Sequence, residues 1–253
     1  MSPKWANNGS MAEPLILRQG GSGKFVFLCD HASNHIPAEL RNLDLLPTQL
    51  LRHIAWDIGA ADVTACLSEV FDAPAILCGV SRLVVDCNRQ LQAPDLIPQR
   101  SDGTDIPGNH GLDGAAQADR IDRWFRPYHD AVESVLMARE TARMPTIAVS
   151  IHSMTPRLAG GEPRPWRIAI SSHLDRSLAD PLLAALRRPC DVMVGDNEPY
   201  DLDPAVDYSI PFHAMRRGLP CVQVEFRQDE ITEAAGQRNW TLRFAQALSD
   251  ILS

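Results

Sequence analysis

At 253 residues, with 45% hydrophobic and 22% charged side chains, the chain has the composition of a globular protein and the length of one large domain. The formal net charge is −8 and no cluster of Lys or Arg appears, which excludes a phosphate-binding surface and with it a nucleic-acid partner. No stretch approaches the ~18 apolar residues of a membrane span, and the first residues lack a signal-peptide core, so the chain reads as cytoplasmic with no membrane partner.

Residues 1–13 read as a loose tail and 14–253 as a single domain. Short β-branched runs predict strands at Lys24–Cys29, Ala75–Gly79, Leu83–Asp86, Thr146–Ile151, Arg167–Ser171, Asp191–Val194 and Cys221–Phe226. Helices alternate with them. Ile58–Phe71 repeats Val63, Cys66, Leu67, Val70 and Phe71 at helical spacing, and Ala115–Ala142 does so with Ile121, Trp124, Phe125, Tyr128, Val132, Val135 and Leu136. Asp180-Pro181 reads as an N-cap followed by proline at the first helical position, and Asn239–Leu252 closes the chain as a helix. The alternation specifies an α/β fold: a central, largely parallel sheet between helical layers. Loops rich in Gly, Pro and Asp interrupt it at Gln92–Gly114, Met154–Pro165 and Gly195–Asp207. Cys29, Cys66, Cys78, Cys87, Cys190 and Cys221 form no CxxC pair and mostly sit in apolar runs, so they read as buried free thiols of a reducing compartment.

Ligands of open α/β sheets bind beyond the carboxyl ends of the strands, so the polar residues that stop each strand carry the chemistry. They are Asp30-His31 in "FLCDHASNHIP", Asp86 with Asn88-Arg89 after "SRLVVD", His152-Ser153 after "TIAVSI", and Glu225 and Arg227 in "CVQVEFR". A catalytic zinc takes three protein ligands and leaves one position for water. His31 and His152 supply two, and the third is Asp57 in "AWDIGA" or Asn34, the amide being the weaker donor. Asp57 has a plainer reading as an N-cap for the following helix. Glu225, between Val224 and Phe226, is either a functional carboxylate or a solvent-facing edge residue. His35, His53, His110, His129 and His173 read as ordinary polar residues, and "RSDGTDIPGNHG" as a mobile loop over the site without a phosphate-loop pattern.

At these residues the sequence resembles the N-formylglutamate amidohydrolase family. The matching segments are "CDHASNHIP", "WDIGA", "SRLVVDCNR", "LIPQRSDGTDIPGN", "PYHDAV", "SIHSMTP", "GDNEPY" and "GLPCVQVEFRQDEI", in order over nearly the whole chain. The resemblance implies a fold like that of the zinc carboxypeptidases and aspartoacylase-like deacylases, an eight-stranded mixed sheet between helical layers. It implies zinc ligation by His31 and His152, a substrate-carboxylate clamp at Asn88-Arg89, and Glu225 as general base. Asn34 stands where the deacylases carry Glu, which leaves Asp57 as the third ligand, and Asp30 is a partner for the far nitrogen of one imidazole. The function implied is metal-dependent hydrolysis of an acidic N-acyl amino acid, N-formyl-L-glutamate foremost, with Arg82 as a second carboxylate fork. The rivals are another deacylase or small peptidase on the same site, and a binding module without metal.

Overall fold

The computed structural model describes residues 15–252; the expected tail at 1–13 lies outside them. The strands are β1 (Leu15–Leu17), β2 (Phe25–Cys29), β3 (Ala75–Leu77), β4 (Arg100–Ser101), β5 (Thr104–Asp105), β6 (Ile147–Met154), β7 (Ile168–Ser171), β8 (Val194–Asp196) and β9 (Cys221–Arg227). β4 and β5 form a small hairpin, and the rest join in one seven-stranded sheet of order β1-β3-β2-β6-β9-β7-β8. Its centre is parallel, while β1 and β7 run antiparallel to β3 and β9. The resemblance implied eight strands; seven pair among the described residues. The helices are α1 (Pro47–Leu50), α2 (Ala60–Phe71), α3 (Gly114–Arg120), α4 (Arg126–Thr141), α5 (Ala179–Arg187), α6 (Gln228–Ile231) and α7 (Ala234–Asp250).

Because side chains alternate along a strand, the sheet buries both faces. Phe27, Val149, Val224 and Phe226 pack against α2, α5 and α7. Val26, Leu28, Ile76 and Ala148 pack against α4 and the turn at Ile210–Ala214. On that second face the apolar pattern fails in the carboxyl halves of β6 and β9. Ser150 pairs in register with Gln223, and His152 with Glu225, all four buried. Each buried polar group left unpaired costs about 1–3 kcal/mol, so this face is kept for something other than stability.

Several expected elements differ. The strand expected at Asp191–Val194 forms at Val194–Asp196 instead. Leu83–Asp86 is no strand, although Leu83, Val84 and Val85 are fully buried. Its carbonyls bond to side chains from far along the chain: Arg120 Nη1 donates to Val84 O (3.1 Å) and Asn109 Nδ2 to Leu83 O (2.8 Å). The expected helix at 115–142 is split by a π-turn at Ile121–Phe125, just before Pro127, whose ring and missing N–H obstruct a regular α-turn. Asp180 lies inside the first turn of α5 rather than capping it. Of the thiols, Cys29, Cys78 and Cys87 are buried as expected, but Cys190 is exposed.

Beneath α4, His129 Nε2 contacts Cys87 O (2.9 Å) and its Nδ1 contacts His213 Nε2 (3.0 Å). A carbonyl only accepts, so His129 carries its proton on Nε2 and His213 donates to Nδ1. Burial pushes the two rings down to about 3 and about 4. Folded, the pair stays neutral; unfolded, each ring takes a proton below about pH 6.5. Stability is therefore full above that value and drains as pH falls toward the folded values. Each ring should withdraw roughly 2 kcal/mol between pH 7 and pH 5, about 4 kcal/mol for the pair. Urea unfolding of His213→Gln should show a smaller loss over that interval than the native protein; equal losses would contradict this account.

Candidate metal and catalytic site

Three side chains converge where β2 and β6 end. His31 follows β2, His152 lies within β6, and Asp57 precedes α2 in a turn closed by Gly59 at φ 81. Asp57 Oδ2 lies 3.3 Å from His31 Nδ1 and 2.9 Å from His152 Nδ1, and it accepts from Ser153 N at 3.2 Å. The three donor atoms lie within 4.8 Å of one another, all buried. Ligand atoms of a tetrahedral zinc at ~2.0–2.1 Å sit about 3.3 Å apart, so this donor set fits a divalent cation, with two imidazoles and one carboxylate. The side chain of Asp57 is directed to the imidazoles, not to the helix start. Asn34 turns away from the cluster and donates to Leu50 O (3.0 Å).

Behind the imidazoles stand two more carboxylates. Asp86 Oδ1 lies 2.8 Å from His31 Nε2, and Asp30 Oδ2 lies 3.1 Å from His152 Nε2. Such partners fix ring orientation and raise ligand basicity. Both carboxylates are themselves held. Arg82 donates to Asp86 Oδ2 from Nε (3.0 Å) and Nη2 (2.7 Å), and Asp30 accepts from Ser150 Oγ (3.0 Å) and Ser209 Oγ. Burial opposes charging every group here, yet the pairing outweighs it. His31 and His152 hold Asp57 far below the usual carboxylate range, and Arg82 and His31 do the same to Asp86. Burial disfavours protonation of the imidazoles too, but the carboxylates raise both, His152 most strongly.

A cavity of about 240 Å³ opens beside the cluster, lined among others by Arg82, Asn88, Arg89, Gln223 and Glu225. Unlike Asp30, Asp57 and Asp86, Glu225 is lifted rather than lowered: burial raises it to about 7 against the pull of His152. Its Oε1 accepts from Gln223 Nε2 at 3.5 Å.

All seven residues expected to form a site thus line or border one cavity, but their engagements differ. Asn88 is fully spent: Nδ2 donates to Asp207 Oδ1 (3.0 Å), and Oδ1 accepts from Tyr208 N and Ser209 N (3.0 Å each). Arg82 braces Asp86, with Nη1 3.6 Å from Asp57 Oδ1. Arg89 pairs with the exposed Asp95 (3.0 Å) and lies 3.8 Å from Asp207. Sequence reading assigned no role to Gln223, and treated Asp86 only as a strand-end acid. Gln223 carried a signal, a polar residue two before Glu225 on the same strand face. His53, read as an ordinary polar residue, lines the cavity.

The fold and this site define the class, an α/β protein with a mixed, mostly parallel sheet and a buried His-Asp-His cluster at its strand ends. The N-formylglutamate amidohydrolase family model matches residues 23–232, and the chain belongs to that family. It is an amide-hydrolysing enzyme acting on a small molecule. A gene product of Agrobacterium tumefaciens shares 33% identity with it at a TM-score of 0.91, over 95% of this chain and 94% of that one. N-formylglutamate amidohydrolase from Ralstonia eutropha JMP134 shares the fold at 17% identity and a TM-score of 0.68, over 95% and 98% of the two chains. No curated protein matches the chain. Among the described residues, no helix is long and apolar enough to cross a membrane.

Proposed function

We propose that the protein hydrolyses an acidic N-acyl amino acid, foremost N-formyl-L-glutamate to formate and L-glutamate, in a metal-dependent reaction. The observation that carries this reading is the convergence of His31 Nδ1, His152 Nδ1 and Asp57 Oδ2 beside a buried carboxylate with a raised pKa. His31, His152 and Asp57 would hold the cation, zinc by the donor set. Bound there, it supplies Lewis-acid polarisation of the acyl carbonyl and makes the attacking water more acidic.

Glu225 takes the proton from that water as its oxygen adds to the acyl carbon. The same carboxyl then gives the proton to the amide nitrogen as the C–N bond breaks. A carboxyl near 7 suits both halves of that exchange. Arg89 takes a substrate carboxylate by a bidentate fork, exchanging its half-exposed pairing with Asp95 for it. Arg82 keeps Asp86 on His31, and its remaining Nη1 faces the same cavity. Asn88 places the Arg89 backbone.

Chelation should abolish hydrolysis of N-formyl-L-glutamate and added zinc should restore it; turnover by fully chelated protein would refute metal dependence. Arg89→Lys keeps the charge but loses the planar fork. It should raise KM for N-formyl-L-glutamate roughly ten- to hundredfold while metal content holds. Equal turnover of an uncharged formyl amide by the native enzyme would sink the acidic-substrate reading.

A further inference from the structure

A second cavity, of about 570 Å³, shares no lining residue with the one beside the metal-binding trio. It opens between α4 and the segment 208–217. Phe125, His129, Tyr208, Phe212 and His213 supply an aromatic wall. The rings pack on one another: Tyr208 stacks on Phe212 with centroids 4.7 Å apart and lies 4.6 Å from His129. From α4, Asp130, Glu133 and Glu140 border the same space.

The proton chain through the two histidines leaves one acceptor over. His129 Nε2 donates to Cys87 O and His213 Nε2 donates to His129 Nδ1, so a neutral His213 carries no proton on Nδ1. That nitrogen is buried, in a residue 1% exposed, and has no hydrogen-bond partner. It faces Glu133 Oε2 at 3.5 Å, a lone pair set against a carboxylate. Burial pushes His213 down to about 4, so the ring does not relieve this by taking a proton at neutral pH. Arg217 does not relieve it either. Its Nη2 pairs with Glu133 Oε1 and its Nη1 donates to His213 O (2.9 Å). Two acceptors this close call for a donor between them. A water is the plain reading, but the wall and the charge favour an organic cation. Of the three guanidiniums lining the cavity, Arg126 is paired outward with Asp122 (2.6 Å), and Arg216 stacks over Phe212 at 4.6 Å. The three carboxylates are thus opposed by Arg216 and Arg217, an excess of one negative charge. An ammonium beside these rings also gains cation–π attraction, which water lacks. A zinc ion needs three or four protein ligands, and among the described residues no third His, Cys, Asp or Glu joins this pair at ligand spacing.

We propose that this cavity is a second ligand site, taking a primary ammonium carried on a flat apolar body, a ligand of the arylalkylammonium class. The ammonium donates to His213 Nδ1 and Glu133 Oε2, and the apolar body lies against Tyr208 and Phe212. Glu133 is half-exposed, so a turn of its side chain opens the way to Nδ1. The ligand is a cation, so the site is no extension of the pocket proposed for an anionic substrate. It stands independently of the amidohydrolase reading.

Calorimetric titration of the metal-loaded protein with 2-phenylethylamine, and with 2-phenylethanol as its uncharged counterpart, reads the site without turnover. The native protein should bind the amine roughly ten- to hundredfold tighter than the alcohol, the scale of a hydrogen bond to a charged group. Glu133→Gln should erase that preference by weakening the amine. Phe212→Leu removes an aromatic face and no charge, and should weaken the amine roughly two- to fivefold. Both positions are only partly buried and lie outside the metal cavity, so fold, metal content and hydrolysis should hold in each variant. No preference for the amine in the native protein overturns the proposal. Undiminished amine affinity in Glu133→Gln overturns it too, because the amine then binds elsewhere. A second equivalent of zinc that disappears in Glu133→Gln would make the pair a metal site instead. Amine binding in a protein that cleaves no N-formyl amino acid would leave this site standing and remove the reaction.

Discussion

Replacing His31 or His152 by alanine is expected to lower bound divalent metal from about one equivalent to background, and to abolish hydrolysis with it. Each variant removes one of three donors and also strands a buried carboxylate, Asp86 or Asp30, whose partner was that ring. Two losses therefore combine. Asp57→Ala should match them, because Asp57 Oδ2 is the atom both imidazoles approach. Asp86→Asn keeps the shape and lowers the basicity of His31, so it should weaken metal affinity by roughly 10–100-fold without eliminating it. Elemental analysis after dialysis against a weak chelator measures the whole series. Full metal content in either histidine variant would exclude that residue as a ligand, and full content in Asp57→Ala would move the third position elsewhere.

How far this site could be read from the sequence follows from which interactions are local. His31, His152 and Glu225 were visible because each breaks an apolar strand, and a strand's alternation fixes the face on which they emerge. Ser150 and Gln223 were equally regular, two positions before His152 and Glu225, yet a buried Ser or Gln is commonplace and stood out less. The resemblance supplied the roles; the strand pattern supplied only the location. What could not be read was the network behind the site. Asp86 meets His31 across 55 positions and Ser209 meets Asp30 across 179, and such pairings leave no periodicity. The same holds for Leu83–Asp86, whose apolar run imitates a strand. Its carbonyls are satisfied by Arg120 and Asn109, partners no local rule predicts.

Glu225→Gln should reduce kcat by roughly 10²–10⁴ while leaving metal content unchanged. In barrier terms that is about 3–5 kcal/mol, the weight of a lost proton acceptor with shape and hydrogen-bonding capacity largely kept. A stability measurement distinguishes this role from a structural one. Burial raises the Glu225 carboxyl to about 7, above its value in the unfolded chain. Between the unfolded value and pH 7 the unfolded chain is the more ionised, so the residue costs stability increasingly as pH rises, and the full cost applies above pH 7. A neutral glutamine removes that cost. The variant should therefore melt at the same temperature as the native protein or higher at pH 8, with the difference shrinking toward pH 4.5. A structural carboxylate would behave in the opposite way, since its loss would lower the melting temperature most where it is ionised. A fall in kcat accompanied by a lower melting temperature at pH 8 would make Glu225 a brace for β6 and β9, and loss of metal would place it among the ligands. Retained metal, equal or greater stability and lost turnover together identify a residue kept for chemistry at the expense of the fold.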